Sequence, residues 1–427
     1  QDDEDSQLID ADGNMFPLGP ECTDASLTPF HVFRGQHFVL NRNWPSEVDL
    51  TYLSGLIMQT EFPVPASRNI EGANDGNFQE LAQLVQSADL VGQLADPNYL
   101  KKIPNGEYSG SGQMDSNGVE EGTVPFDLKV IIEDEKVILD MSKAPPQQNG
   151  PINCPLPSTV STARVAMSML AGSNEAPNEG FFRPIEVITK IGTLFHPLSP
   201  APCFLYGWPA LQAIEVFYRA LGTKFPENVP ASSGGCISAI VYWGQREKTG
   251  EPWADGSPHP VGQGASHFGD GATCLHHAES ATRFAPAEVW ENRNPWLINR
   301  VELIQDSCGA GKNRGGLGVY FEFEMLEDTY ITTVVERTLF PPWGLNGGKE
   351  ALANNCYVID QEKKSIEVPK ATRVSVTKGK RILLQCGGGG GYGDPKERET
   401  FKVLDDYKQG YISEQYIKKN HPNVKLS

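Results

Sequence analysis

Five consecutive glycines, Gly387 to Gly391, stand in the stretch RILLQCGGGGGYGDPKERE at residues 381–399. A run without a single Cβ cannot contribute to a packed core. It must therefore be a flexible connection, a loop whose N–H groups cradle an anion, or backbone packed closely against other backbone. The residues after it favour the last reading. Asp394 is a good N-cap, Pro395 suits a first helical position, and Glu397 falls three residues after the cap, as in a capping box. A helix start that already faces two carboxylates repels a phosphate, and no Lys-Ser/Thr pair follows as a P-loop requires.

The rest of the chain predicts an α+β protein of several lobes with a β-rich C-terminal half. Residues 77–94 have helical spacing, and VPFDLKVIIE followed by KVILDMS predicts a hairpin. STVSTARVAMSMLAG (158–172) and WPALQAIEVFYRALG (208–222) predict helices, and ISAIVYWG (237–244) a buried strand. From 299 onward VYFEFEML alternates, YITTVVER, ATRVSVT and RILLQ follow as strands, and two short helices close the chain. We expect a shortened N-terminal region at 1–100, a central α+β region at 101–300 and a β-rich region at 301–427.

Charge and cysteine usage limit the function. Among 427 residues the net charge is −18, which argues against a nucleic-acid partner. No apolar run reaches the ~18 residues needed to span a membrane. Eight cysteines lie scattered without a CxxC pair, which suggests reduced thiols in a cytoplasmic protein.

The densest polar stretch, residues 262–294, holds His267, Asp270, His276, His277, Glu279, Glu288 and Glu291 among glycines. Imidazoles and carboxylates are what a metal or a general acid/base pair requires, but neither HExxH nor a three-histidine spacing is present. A solvated loop is the alternative. His267, Asp270, His276, His277 and Glu279 are the candidate catalytic residues. DSCGAGKNRGGLG (306–318) has the look of a phosphate loop, but Asn follows its Lys and a strand follows the glycines, so a structural turn is expected. Cys308, near two cations, could carry a lowered pKa. Asn153 precedes a helix start and could serve an anion or simply shape the turn.

In order along the chain stand GPINCP at 150, NEGFFRPIEVITKIGTLFHP at 178–197, ENVPASSGG at 227–235 and the GQGA…DG loop at 262–271. DSCGAGKNRGGLG, FPPWGLNGG at 340–348 and CGGGGGYGDP at 386–395 complete the series. Taken together they resemble the hydantoinase B family, which includes B subunits of ATP-dependent hydantoinases, the matching half of oxoprolinase, and subunits of acetone and acetophenone carboxylases. The resemblance covers roughly residues 100–410. It implies a hetero-oligomer in which a hydantoinase A-like, ATP-binding subunit phosphorylates a small ketone or cyclic amide, and the B-type subunit hosts the second step. A ketone carboxylase subunit is the leading expectation. A hydantoinase or oxoprolinase B subunit and a catalytically silent structural subunit are the alternatives. The family pattern also implies a divalent metal, Mn or Zn. The Asp- and His-containing stretches expected after HFVLNRNWP (37–45) are missing, so no metal ligand is assigned in this chain.

Overall fold

The computed structural model describes residues 103–134, 136–171, 182–276 and 285–426, together with two short strands near the N-terminus. The chain divides into two compact units, residues 1–95 and 96–427. In the first, strand β1 (Leu8–Ile9) pairs antiparallel with β2 (Met15–Phe16). The expected helix at 77–94 and the strand at HFVLN lie outside the described residues, as do His277 and Glu279.

The second unit opens with a four-stranded sheet of β3 (Gly106–Met114), β4 (Val124–Glu133), β5 (Lys136–Asp140) and β6 (Ile185–Ile188), in that order. The predicted hairpin is β4–β5, whose alternation puts Val124, Phe126, Leu128, Val130 and Ile132 inside. β6 runs parallel to β5, which requires a crossover, and helix α1 (Leu156–Ala171) lies between them in the chain. Helix α2 (Gly207–Gly222) crosses β3 and β4. The crossing explains two glycines of β3: a Cβ on Gly112 would sit 2.2 Å from Val216 Cγ2, and one on Gly110 2.8 Å from the Val216 carbonyl oxygen. Small residues here let helix and sheet approach closely.

The C-terminal half is a sandwich of two antiparallel sheets. One holds β14 (Lys370–Val376), β11 (Thr329–Val334), β7 (Ala239–Gln245) and β8 (Pro252–Ser257). The other holds β13 (Ser365–Glu367), β12 (Asn355–Ile359), β15 (Arg381–Cys386), β10 (Val319–Met325) and β9 (Trp296–Leu303). Tyr242 and Ile331 from one sheet meet Trp296, Phe321, Phe323 and Leu384 from the other in a common core, joined by Trp290 of helix α3 (Ala287–Arg293). Each such aromatic contributes about 1.5–3 kcal/mol by burial. The alternation of β10 is not strict: Glu322, on the opposite face from Phe321 and Phe323, is buried as well, because Arg300 (3.2 Å) and Arg381 cover it.

Two short helices, α4 (Thr400–Lys408) and α5 (Glu414–Asn420), close the chain as expected. Val403, Ile412 and Ile417 pack on Cys308 and Leu317. The predicted capped helix after the glycines is a single 3₁₀ turn, Pro395–Glu397. Asp394 caps it by accepting from the Lys396 N–H at 2.9 Å, and the α-helix proper begins only at Thr400. Among the described residues no helix is long and apolar enough to cross a membrane.

Candidate functional site

The glycine run threads through a lattice of irregular segments instead of lining a cavity. The N–H of Gly387 donates to Asn354 Oδ1 (2.6 Å), and those of Gly388 to Gly391 donate in turn to the carbonyls of Leu352 (3.2 Å), Gly316 (2.9 Å), Ser232 (2.7 Å) and Lys349 (3.0 Å). In return the carbonyls of Gly387, Gly389, Gly390 and Gly391 accept from Gly262, Gly309, Ala265 and Leu345 at 2.8–2.9 Å. A phosphate cradle needs N–H groups directed at a ligand. All five here are committed to the protein itself. The DSCGAGKNRGGLG segment is one wall of this lattice, through Gly309 and Gly316, and so is the structural turn the sequence suggested.

Residues 261–276 form an irregular hairpin on that lattice, bridged at Val261–Leu275 and at Ser266–Gly269. His267 lies at its tip, exposed, its ring nearly perpendicular to those of Phe268 and Tyr392. His276 follows Leu275 at the base of the hairpin. It is buried, neither ring nitrogen has a hydrogen-bond partner among the described residues, and burial pushes its pKa below the usual histidine value. The two histidines thus stand at opposite ends of the hairpin.

Asp270 is at the tip and spends its carboxylate on the protein. Arg398 Nη1 and Nη2 donate to its two oxygens at 2.7 and 2.8 Å, and the Arg314 N–H donates to Oδ1 at 2.9 Å. Arg398 also donates to Asp406 from Nε (3.2 Å) and Nη2 (2.7 Å), and Arg314 Nε reaches the other Asp406 oxygen at 2.8 Å. Partial burial raises the Asp270 pKa, but hydrogen bonds and charge from Arg398, then Arg314, outweigh it and hold the carboxyl below the ordinary Asp value. Bonded in this way, the Asp270 carboxylate ties the hairpin tip to Arg398 and Arg314.

Two other sequence readings resolve here. Burial pushes the Cys308 thiol up, not down, and outweighs the lowering by the Tyr416 hydrogen bond and by Arg314, which Asp406 engages. Asn153, fully buried, pins its own turn: it accepts from the Gln148 N–H and donates to the carbonyls of Gln148, Gly150 and Pro202. Among the described residues no group of three or more His, Cys, Asp or Glu converges to hold a metal. The described side chains do not supply the family's expected metal site, and no step is assigned to one.

Sequence reasoning missed a second charged cluster, buried between the two cores. Arg337 donates to Ser232 Oγ (2.6 Å) and to Glu215 (3.4 Å), whose other oxygen accepts from Ser233 Oγ (2.6 Å) and the Ser233 N–H (3.2 Å). Next to it Glu336 pairs with Lys370 and accepts from the Asp115 N–H at 2.8 Å. Asp115 in turn accepts from the N–H and hydroxyl of Thr338, both at 2.8 Å. One signal was present: Gln212 and Glu215 stand on the buried stripe of α2, where an amphipathic helix ordinarily carries apolar residues.

Burial pushes the Glu336 carboxyl up to about 7, against the pull of Lys370. A raised acid pKa means the folded state holds a proton that the unfolded chain releases above ~4.5. Glu336 therefore lowers stability as pH rises from ~4.5 to ~7, by up to about 3 kcal/mol. Urea unfolding across this range should show wild-type stability falling relative to Glu336→Gln. Parallel curves would mean Glu336 titrates normally.

With fold and site in place, comparison with known proteins assigns the chain. The Hydantoinase B/oxoprolinase profile matches residues 86–395, and the chain belongs to that family. A second profile, Npun_R2479-like, matches residues 1–128. An uncharacterized protein of Methanocaldococcus jannaschii is 31% identical over 68% of this chain and 50% of its own length. The putative B subunit of a D-/L-hydantoinase from a Pseudomonas species is 28% identical over 74% of this chain and 55% of its own. The chain spans about half the length of these curated relatives. The crystal structure of the ATP-dependent caprolactamase of Pseudomonas jessenii superposes with a TM-score of 0.73 at 24% identity, covering 84% of this chain and 63% of that one. Nucleotide-free acetone carboxylase superposes at 0.69 and 19% identity, over 82% and 53%. At such identities the likeness is one of fold.

Proposed function

We propose that this chain is the B-type part of an ATP-dependent enzyme that opens a cyclic amide, and that the nucleotide is bound by an A-type partner. The observation that carries the division of labour is the glycine lattice: the N–H groups of Gly387–Gly391, and those of Gly309 and Gly316, all donate to acceptors of the protein itself. The substrate class is supported by relatives matched in sequence, among them the putative hydantoinase B subunit, the beta subunit of caprolactamase and 5-oxoprolinases. Phosphorylating the amide oxygen would make the ring carbonyl carbon electrophilic. On the B-type part a base would take a proton from water as it adds there, the ring C–N bond would break with the nitrogen taking a proton, and hydrolysis would release phosphate and leave a carboxylate. His267, exposed at the hairpin tip, is the proposed general base or polar anchor, with Asp270 fixing the turn that carries it. His276 and, outside the described residues, His277 and Glu279 are further proposed polar groups.

A second reading, an acetone- or acetophenone-type carboxylase subunit, rests on the fold shared with acetone carboxylase. Reconstitution with an A-type ATP-binding subunit separates the two. ATP hydrolysis should rise with a hydantoin, 5-oxoproline or caprolactam. Stimulation only by a ketone with bicarbonate would replace the first reading by the second. Within an active complex, His267→Ala should lower turnover by about 10²-fold, the range of a lost general base.

A further inference from the structure

We propose that Arg398 is a positioning residue, a clasp by which the C-terminal segment 396–426 fixes the hairpin tip at 266–270 and with it the His267 imidazole. The proposal rests on the reading of that tip as part of the site. The family profile ends at residue 395, so it takes in Asp270 and the hairpin tip but not Arg398 or Asp406.

The guanidinium is matched on every side. The Arg398 side chain is 2% exposed, and each of its nitrogens has a partner: Nε faces Asp406, Nη2 is shared by Asp406 and Asp270, and Nη1 serves Asp270 and the Lys312 carbonyl (3.2 Å). A buried guanidinium is tolerated only when its charge and donors are all matched, and a planar fork suits two carboxylates in a way an ammonium does not. The C-terminal side of the bridge is equally tied down. The Asp306 N–H donates to the Tyr411 carbonyl (3.0 Å), Asp306 accepts from the Ser413 N–H (2.6 Å), and the Tyr416 hydroxyl donates to the Cys308 carbonyl (3.0 Å).

The tip needs such a support, because its own closure is weak. Ser266 and Gly269 exchange bonds of 3.1 and 3.3 Å. From beneath, Asn313 donates to the Ser266 and His267 carbonyls, Arg314 donates to Asp270 and accepts from the Gly271 N–H, and the Tyr392 ring stands against His267. Arg398 is the contact that closes the side facing the chain end. A base displaced by an ångström loses about 10²-fold in rate, so a turn left with half its supports would show in kcat before it shows in binding.

Arg398→Lys keeps the charge and its attraction to Asp406 but cannot span both carboxylates. Asp270→Asn releases the tip while leaving the Arg398–Asp406 pair. Amide hydrogen exchange of the full chain in its complex should be about tenfold faster over 264–272 in both variants, with residues 410–426 unchanged in Asp270→Asn. In a complex that turns over, kcat should fall about tenfold in Arg398→Lys with KM within about twofold. Unchanged exchange over 264–272 in both variants would overturn the clasp. So would faster exchange confined to 400–426, since that would make Arg398 a tail anchor only. Exchange is read without turnover, so a complex that hydrolyses no cyclic amide would sink the functional reading and leave the clasp standing.

Discussion

Gly389→Ala is expected to destabilise the second unit by more than about 4 kcal/mol. A Cβ at this position would lie 1.8 Å from the Gln263 carbonyl oxygen, 2.2 Å from its carbon and 2.7 Å from the Gly264 nitrogen. These are backbone atoms, which cannot rotate aside as a side chain would. Moving residue 263 would also break the bond from the Gly316 N–H to the Gln263 carbonyl (2.8 Å) and disturb those of Gly389. Overpacking a core by a methyl ordinarily costs about 1–3 kcal/mol. Here the clash is with backbone in a lattice with no slack, and a loss beyond about 4 kcal/mol is expected, a large share of a typical total stability of about 5–15 kcal/mol. Gly256→Ala, whose added Cβ would meet nothing closer than 3.8 Å, is the control and should stay within about 1 kcal/mol. Equal urea midpoints for the two variants would refute the close-packed reading of the glycine run.

Lys370→Met carries the second large effect. Lys370 Nζ donates to Glu336 and to the Ser116 carbonyl (2.8 Å), and both side chains of the ion pair are nearly inaccessible to solvent. Removing one partner of a buried pair leaves an uncompensated charge and costs about 3–5 kcal/mol. The sign of the pH dependence identifies the cause. Near pH 8 the wild-type Glu336 is ionised, above its folded pKa of about 7, and loses its cation in the variant. At pH 5 the carboxyl is protonated in the folded state, so the same substitution should cost less than half as much. A loss equal at the two values would assign the effect to packing of the lysine stem and not to the buried charge.

Much of the architecture was legible because it depends on near neighbours. Period-two alternation marked the β4–β5 hairpin, and a continuous apolar stripe marked α2. Asp394 was readable as a cap because an N-cap is decided within three residues. What followed it was less readable: Arg398, directly after the 3₁₀ turn, bonds to Asp270 and Asp406, 128 and 8 residues away.

The site was legible as a composition and not as a geometry. Residues 262–276 stood out by residue type, yet type alone could not tell that His267 and His276 occupy opposite ends of a hairpin. Asp270 had the chemistry of an acid/base group in the sequence and became an anchor only through Arg398. The buried cluster was less visible still, since Asp115 meets Glu336 across 221 residues and Glu215 meets Arg337 across 122. A lone Glu on an apolar helix face hints at a partner without naming it.

By itself the sequence determined the α+β class, the run of strands from 299 onward, the family, and that five residues without side chains must lie in an unusual place. Only the tertiary structure decided what that place is. Hydrogen bonds to Ser232, Gly316 and the segment 349–354, all distant in the chain, occupy every N–H of Gly387–Gly391, and a donor already bonded to protein cannot hold a phosphate.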